Sequence, residues 1–140
     1  MILTVGIPVY NGEKYISRCL DSILEQKGVR IEVIIALDTS TDNSELILNR
    51  YQSEYDNIRV ISKDSWDKGP GKSRNLIIEV ASTEFIYFID IDDFLCNESV
   101  LCDYLERMKK DGSDLLIGSH VHLDNPDRGL FLTDEKFILT

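Results

Sequence analysis

Residues 85–93 read FIYFIDIDD, in which five apolar residues lead directly into a segment with three aspartates. Phe85–Ile89 has the length and composition of a strand buried on both faces of a parallel sheet. Three carboxylates within four residues repel one another unless water solvates them or a cation neutralises them. Mg²⁺ and similar ions take one or two carboxylates from a protein and complete their shell with phosphate oxygens and water. Asp90, Asp92 and Asp93 are therefore candidate metal ligands; the alternative is a solvated acidic turn before a helix.

Similar short apolar runs recur on both sides of this segment. Candidate strands lie at Ile2–Pro8, Ile31–Leu37, Ile58–Ile61, Glu84–Ile89 and Asp114–Gly118. Amphipathic stretches with helical spacing separate them, over residues 15–24, 42–55, 72–81 and 100–108. The second of these opens at Asp42 with Glu45 three residues later, which is a capping-box pattern. Strand–helix alternation predicts parallel pairing with right-handed crossovers, and hence an α/β sandwich.

The composition limits the ligands that the chain can bind. Its 140 residues and 16.0 kDa suit one domain. With 15 Lys and Arg against 25 Asp and Glu, the formal net charge is −10. This charge argues against a broad surface for nucleic acid or anionic lipid. A phosphate-bearing ligand would need a metal ion or backbone N–H donors to offset the repulsion.

Neither a membrane span nor a signal peptide is expected. No apolar run approaches the roughly 20 residues of a spanning helix, and residues 1–5 lack the basic start and long apolar region of a signal peptide. The three cysteines, Cys19, Cys96 and Cys102, are odd in number and form no Cys-x-x-Cys pair. This favours reduced, buried thiols, and with them a cytoplasmic protein.

Three distinctive segments follow predicted strands, at the strand ends where open parallel sheets bind ligands. One is the acidic segment 90–93, and the other two are residues 8–11 and 38–42. Residues 8–11 (PVYN) include Tyr10, which could stack on a flat base or be a partly buried aromatic. Residues 38–42 (DTSTD) begin with Asp38, which could accept hydrogen bonds from a base edge or form an Asx-type turn. The basic, glycine-containing loop 68–75 (KGPGKSRN) leads into a helix N-terminus and is a candidate anion site, although its spacing is not that of a P-loop.

Together these segments resemble a known family. Residues 2 to about 118 are similar to the nucleotide-binding half of inverting family 2 glycosyltransferases with the GT-A fold. The matching pieces, in the family's order and spacing, are residues 6–13 (GIPVYNGE), 19–26 (CLDSILEQ), 38–44 (DTSTDNS), 73–75 (SRN) and 90–93 (DIDD). The resemblance implies a Rossmann-like α/β/α sandwich with a mainly parallel sheet, a UDP-sugar donor, and Mn²⁺ or Mg²⁺ as cofactor.

The resemblance also implies roles for individual residues. Pro8, Tyr10 and Glu13 would line the nucleoside pocket, and Asp38 would accept the N3–H of uracil or thymine. Arg74 would lie near the sugar diphosphate.

In the acidic signature, Asp92 would face the ribose and Asp93 would hold the metal ion, with Asp90 and Asp92 beside it. The sequence departs from the family where Leu37 replaces the usual first aspartate and Thr39 replaces a glycine, which leaves the nucleobase preference open.

The length indicates an incomplete enzyme. Family members place the acceptor site and the catalytic base well beyond the acidic signature, so we expect residues 1–118 to form the donor-binding core and residues 119–140 to begin an acceptor-side region. The late acids Asp124, Asp127, Asp134 and Glu135 match no known pattern for the base.

The expected activity is transfer of a sugar to a saccharide or lipid-linked acceptor in surface-polysaccharide synthesis. Peripheral membrane association of the full-length protein remains open. The alternatives are a non-catalytic nucleotide-sugar-binding module and, from the strand-end Asp-x-Asp, a metal-dependent phosphatase of the haloacid dehalogenase type.

Overall fold

The computed structural model describes residues 2–62 and 69–118. Within these ranges strands and helices alternate, as β1 (Ile2–Val9), α1 (Ile16–Leu24), β2 (Arg30–Leu37), α2 (Ser44–Glu54), β3 (Ile58–Ser62), α3 (Pro70–Val80), β4 (Ile86–Phe88) and α4 (Val100–Asp111). The first four predicted strands and all four predicted helices are confirmed, with boundaries that differ by a few residues.

The strands form one parallel sheet in the order β3-β2-β1-β4. In β1, Gly6 pairs with Ile34 of β2 on one side and with Phe88 of β4 on the other. The chain therefore adds β2 and β3 on one side of β1 and then places β4 on the other side, so that β3 and β4 lie on opposite edges. This arrangement leaves a crevice at the carboxyl ends of β1 and β4, where the order of the strands along the sheet reverses.

Helices cover both faces of the sheet, which confirms the predicted layers. On one face, α1 and α2 bury side chains such as Leu20 and Leu48 against alternate residues of β1 and β2. On the other face, Ile77 of α3 packs with Ile34 and Ala36 of β2. Both faces of β2 are thus buried, which explains its unbroken apolar run.

Gly6 allows α3 to approach the sheet closely. A Cβ at this position would lie 2.8 Å from Cγ2 of Ile77 and 2.9 Å from Cε1 of Phe88. These separations are too short for carbon atoms that are not bonded, so a larger side chain at residue 6 would push α3 or β4 away.

The predicted fifth strand, Asp114–Gly118, is wrong. The described residues pair no strand with this segment, and Leu115 and Ile117 are 47% and 67% exposed. An apolar run forms a strand only when a neighbouring edge accepts its backbone hydrogen bonds, and apolar composition alone does not provide that edge. The chain divides into two compact units at Cys102 and Asp103, and the predicted boundary near residue 118 stays a prediction.

None of the three cysteines, all of which lie in the described ranges, forms a disulfide, but their surroundings differ. Cys19 is buried as predicted, Cys102 is half-buried and Cys96 is exposed, so the prediction of burial is wrong for Cys96. In the ranges that the structure describes, none of the helices has the length and apolar character needed to cross a membrane.

Candidate functional site

A cavity of about 590 Å³ opens at the carboxyl end of the sheet. Its volume falls within the roughly 300–1,000 Å³ that is typical of small-molecule sites. Four segments line it, namely the end of β1, the residue after β2, the start of α3 and the loop after β4. The lining residues are Pro8, Val9, Tyr10, Asp38, Gly69, Pro70, Ser73, Arg74, Asp90, Ile91 and Asp92. Six predicted site residues thus meet in one cavity, namely Pro8, Tyr10, Asp38, Arg74, Asp90 and Asp92.

Asp38 and Tyr10 present a carboxylate and an aromatic ring to one part of this cavity. The Asp38 side chain is 7% exposed, and its two oxygens accept the backbone N–H of Thr39 at 2.8 Å and of Gly69 at 3.3 Å. These bonds fix the orientation of the carboxylate, while each oxygen keeps a second lone pair for a further donor. Tyr10 is 62% exposed, so its ring is accessible to a flat ligand.

Arg74 and Asp90 form an ion pair across another part of the cavity. Nη2 of Arg74 lies 2.5 Å from Oδ1 of Asp90, and the two side chains are 34% and 54% exposed. Arg74 is the cation among the cavity-lining residues that the structure describes. The guanidinium is therefore placed to meet an anion that enters the cavity, and the Asp90 carboxylate is already engaged.

The predicted metal ligands do not converge. In residues 2–62 and 69–118, no three His, Cys, Asp or Glu side chains are grouped so that they could hold a metal ion. Asp90 faces Arg74, Asp92 lines the cavity, and Asp93 donates its backbone N–H to the Asp90 carbonyl at 3.0 Å. We call Asp90, Asp92 and Asp93 the acidic corner. Their oxygen atoms fit a hard divalent ion that takes only one or two ligands from the protein and completes its shell with a bound diphosphate.

The negative charges of the acidic corner affect a thiol of α1. Burial raises the pKa of Cys19 to about 12, and the charges of Asp93 and Asp92 add to the effect. Sγ of Cys19 lies 3.9 Å from the Asp90 carbonyl. The corner is therefore a region of negative potential, which favours the approach of a cation.

Ser22 of α1 and Gln26, two residues after α1, hold the segment that follows Asp93. Oγ of Ser22 accepts the backbone N–H of Leu95 at 3.0 Å. Gln26, which is buried, accepts the backbone N–H of Leu101 at 3.0 Å and donates to the carbonyl of Asn97 at 2.5 Å. Sequence reasoning missed these roles because it followed the apolar stripe of α1. Two polar residues four positions apart beside that stripe were the available signal.

Arg18 of α1 was also missed. Its guanidinium lies 4.5 Å from the centroid of the Phe94 ring, and its Nη2 donates to the Asp92 carbonyl at 3.5 Å. A cation that stacks on an aromatic ring adds modest stability at an exposed site. Arg18 thus helps to fix the backbone beside Asp92.

Glu13 does not line the cavity, although it was predicted in the nucleoside pocket. Its Oε2 instead accepts the backbone N–H of Asn43 at 2.9 Å and Nδ2 of Asn43 at 3.0 Å. Asn43 is the N-cap of α2, so Glu13 satisfies the backbone donor that a capping-box glutamate would reach. The predicted capping box between Asp42 and Glu45 is therefore wrong, because a residue from the β1 loop supplies the acceptor.

Lys68 of the predicted basic loop and the four late acids Asp124, Asp127, Asp134 and Glu135 lie outside the described residues.

The model of the family described as "Glycosyl transferase family 2" matches residues 4–136. The chain belongs to glycosyl transferase family 2. This membership confirms the family that the sequence resembles, and it leaves the haloacid dehalogenase phosphatase hypothesis without support.

Among curated members of family 2, the chain is 41% identical to a poly(ribitol-phosphate) beta-glucosyltransferase of Bacillus spizizenii, over all of this chain and 24% of that protein. It is 34% identical to the poly(ribitol-phosphate) beta-N-acetylglucosaminyltransferase TarS of Staphylococcus aureus, over 84% of this chain and 20% of that protein. The chain thus spans about a quarter or less of the length of these two relatives.

Solved structures of family 2 members confirm the predicted GT-A fold. A crystal structure of S. aureus TarS matches with a TM-score of 0.74 and 32% identity, over 88% of this chain and 23% of that one. A TarS fragment in complex with UDP-GlcNAc matches with a TM-score of 0.73 and 34% identity, over 81% of this chain and 33% of that one.

Proposed function

We propose that the chain is the nucleotide-sugar-binding part of an inverting glycosyltransferase that uses a UDP-sugar donor. The observation that carries this proposal is the single cavity that brings Tyr10, Asp38, Arg74 and Asp92 together at the carboxyl end of the sheet. The aromatic ring can stack on a base, and the fixed carboxylate can accept the N–H of that base. The guanidinium suits a diphosphate, and the second carboxylate suits a ribose or a metal ion.

The nucleoside would bind at the end of the cavity formed by β1 and β2. In this arrangement the Tyr10 ring stacks on the base, Pro8 contributes an apolar wall, and Asp38 accepts the N3–H of uracil. Cytosine has no proton at N3, so a carboxylate with backbone-fixed oxygens favours uracil over cytosine. The backbone N–H groups of Thr39 and Gly69 already fix the orientation of the Asp38 carboxylate before a ligand binds.

The diphosphate would bind between α3 and the loop after β4. Arg74 projects from the first turns of α3, where the helix dipole also favours an anion. Asp92 and Asp93 would hold a divalent ion, Mn²⁺ or Mg²⁺, which when bound neutralises charge on the diphosphate and on the departing nucleotide. The ion would also offset the repulsion between the diphosphate and a chain with net charge −10.

In the complete enzyme an acceptor hydroxyl would attack the anomeric carbon of the sugar. The new bond forms from the hydroxyl oxygen to that carbon as the bond from the carbon to the diphosphate oxygen breaks, and a carboxylate base takes the hydroxyl proton. The described residues supply the donor side of this reaction. We propose that the catalytic base and the acceptor site lie after residue 118.

The biological setting is proposed from the relatives. TarS and the B. spizizenii protein are named as enzymes that act on poly(ribitol-phosphate), which supports a polymer acceptor in cell-surface polysaccharide synthesis. The thiols of Cys19, Cys96 and Cys102, which form no disulfide within the described residues, suit a cytoplasmic location. The acceptor would be a saccharide or a lipid-linked chain, met at the inner face of the membrane.

Calorimetric titration of UDP into the chain, with and without Mn²⁺, tests the proposal. We expect binding that is at least about tenfold tighter with Mn²⁺. Asp93→Asn should remove most of the metal dependence, whereas Asp56→Asn should not, because Asp56 is an exposed aspartate in the turn before β3 and not one of the three aspartates after β4. If no nucleoside diphosphate binds with either metal, the proposal is wrong. If UDP binds but the full-length protein neither hydrolyses nor transfers any UDP-sugar, the non-catalytic binding module is the correct alternative.

A further inference from the structure

The loops after β1 and β2 are joined by a reciprocal pair of hydrogen bonds. The backbone N–H of Glu13 donates to Oδ2 of Asp42 at 3.0 Å, and the backbone N–H of Asn43 donates to Oε2 of Glu13 at 2.9 Å. Each carboxylate therefore accepts a backbone donor of the opposite loop. Hydrogen bonds to charged acceptors contribute more to stability than neutral ones.

A second set of bonds ties the same two loops nearer to the cavity. Oδ1 of Asn11 accepts the backbone N–H of Thr41 at 2.8 Å, and the backbone N–H of Asn11 donates to Oγ of Ser40 at 3.1 Å. Asn11 has a φ of 47°, a left-handed conformation that asparagine tolerates better than most residues. Oγ of Ser44 accepts the N–H of Gly12 at 2.8 Å in a buried position.

Each of the tied loops begins at a cavity residue. Tyr10 directly precedes Asn11, and Asp38 lies two residues before Ser40, whose hydroxyl also donates to the Asp38 carbonyl at 3.0 Å. The backbone N–H of Asp38 donates to the Val9 carbonyl at 2.8 Å, and the bonds between the two loops continue this pairing beyond the ends of the strands. We call residues 10–13 and 38–44, with these bonds, the loop clamp.

We propose that Glu13 is a positioning residue for the nucleobase, because its carboxylate closes the loop clamp that holds Tyr10 and Asp38 in register. This inference rests on the proposed function, since it assumes that a base binds between those two residues. Glu13 itself lies off the cavity, with its carboxylate on Asn43 at the start of α2. Its effect on binding is therefore indirect and confined to the base end.

An effect of Glu13 that is confined to the base end of the cavity can be distinguished from a direct contact with the ligand and from general support of the fold. The diphosphate end of the cavity is built from α3 and the loop after β4, and neither carries a residue of the loop clamp. The bond from the Gly69 N–H to Asp38, at 3.3 Å, links the start of α3 to the clamp and does not involve Glu13. Loss of the Glu13 carboxylate should loosen the base end, which must then be ordered when the nucleotide binds. Binding of a ligand without a base should not change.

The test compares three ligands on four variants of the whole chain. UDP, CDP and inorganic pyrophosphate, each with Mn²⁺, are titrated into wild type, Glu13→Ala, Glu13→Gln and Glu45→Ala. Glu45 is the matched control, because it is an exposed glutamate in the first turn of α2 and its loss changes the net charge equally.

We expect Glu13→Ala to weaken UDP binding about tenfold and to reduce the preference for UDP over CDP, while pyrophosphate binding stays within about twofold. Glu13→Gln should restore most of the affinity, because its amide oxygen can still accept the Asn43 N–H. Glu45→Ala should bind all three ligands like wild type.

Two results would overturn the inference while the proposed function stands. One is wild-type affinity for UDP in Glu13→Ala; the other is an equal loss of UDP and pyrophosphate binding, which would indicate general damage. If Glu13→Ala does not fold, Asn11→Gly replaces it, since glycine keeps the left-handed backbone and removes only the bonds that Oδ1 accepts from the N–H and the hydroxyl of Thr41. Failure of wild type to bind UDP overturns both the inference and the proposed function.

Discussion

Replacement of Arg74 by alanine probes the diphosphate end of the cavity. Arg74 carries the positive charge of the described cavity lining, and its guanidinium lies 2.5 Å from the Asp90 carboxylate. Arg74→Ala removes this cation and leaves Asp90 without its partner, close to Asp92. Both changes make the cavity more negative, so both act against a diphosphate.

The size of the effect follows from the exposure of the guanidinium. At 34% exposure the side chain is partly screened by water, so the Coulomb energy of a buried pair does not apply. A hydrogen bond to a charged group contributes about 1.5–3 kcal/mol. We take the lower half of this range, which corresponds to an affinity loss of about 10- to 40-fold for UDP with Mn²⁺. Arg74→Lys keeps the charge but loses the planar fork, so its loss should be smaller.

The assay is calorimetric titration of UDP and of uridine into wild type, Arg74→Ala, Arg74→Lys and Arg59→Ala. Arg59 is an exposed arginine on β3 that does not line the cavity, and it serves as the matched control. Uridine has no diphosphate, so its affinity should be the same in all four proteins. A dissociation constant for UDP within about twofold of wild type in Arg74→Ala would refute the assignment of Arg74 to the diphosphate.

Three further predictions concern stability and reactivity. The pKa of Asp42 is lowered because the hydrogen bonds from Ser44 and the Glu13 N–H outweigh the opposing effect of burial. Asp42→Asn should therefore reduce resistance to urea at pH 7, with a deficit that shrinks as the pH falls below the ordinary value of 3.8; a deficit that is constant from pH 7 to pH 3 would contradict this. Gly6→Ala should destabilise the fold by about 1–3 kcal/mol in urea unfolding because α3 packs against this residue, and an unchanged midpoint would show that the layers can separate freely. Iodoacetamide at pH 8 should alkylate the exposed Cys96 well before Cys19, whose pKa burial raises to about 12, and equal rates in the native protein would be inconsistent with the structure.

The sheet was predictable because its strands are buried on both faces. Such strands appear in the sequence as short apolar runs, and β2 is the clearest example. The same signal failed at residues 114–118, since an apolar run does not reveal whether a partner edge is available. Sequence spacing placed α1, α2 and α3 for a related reason, as each of them has an apolar face against the sheet.

The cavity was predictable in outline because parallel strands place their carboxyl ends at one edge. Tyr10, Asp38, Arg74 and Asp92 are far apart in sequence, yet each follows a strand or begins a helix at that edge. The topology rule for open sheets is therefore sufficient to bring them together.

The position of Glu13 was not predictable in this way. Its partner is a backbone N–H that lies 30 residues away, and hydrogen bonds between a side chain and a distant backbone leave no periodic pattern. For the same reason the contacts of Gln26 with residues 97 and 101 were not expected. Polar residues that act on backbone groups of another loop become visible only when the loops are placed.

We propose that one cavity holds the base and the diphosphate of a UDP-sugar. A crystal structure of the chain with UDP and Mn²⁺, with the anomalous signal of manganese recorded, tests this most directly. We predict the uracil ring against Tyr10 with its N3–H on Asp38, the diphosphate beside Arg74, and the manganese peak between the diphosphate and the carboxylate of Asp92 or Asp93. Nucleotide bound outside this cavity, or a diphosphate remote from Arg74 with no manganese peak at the acidic corner, would contradict the account.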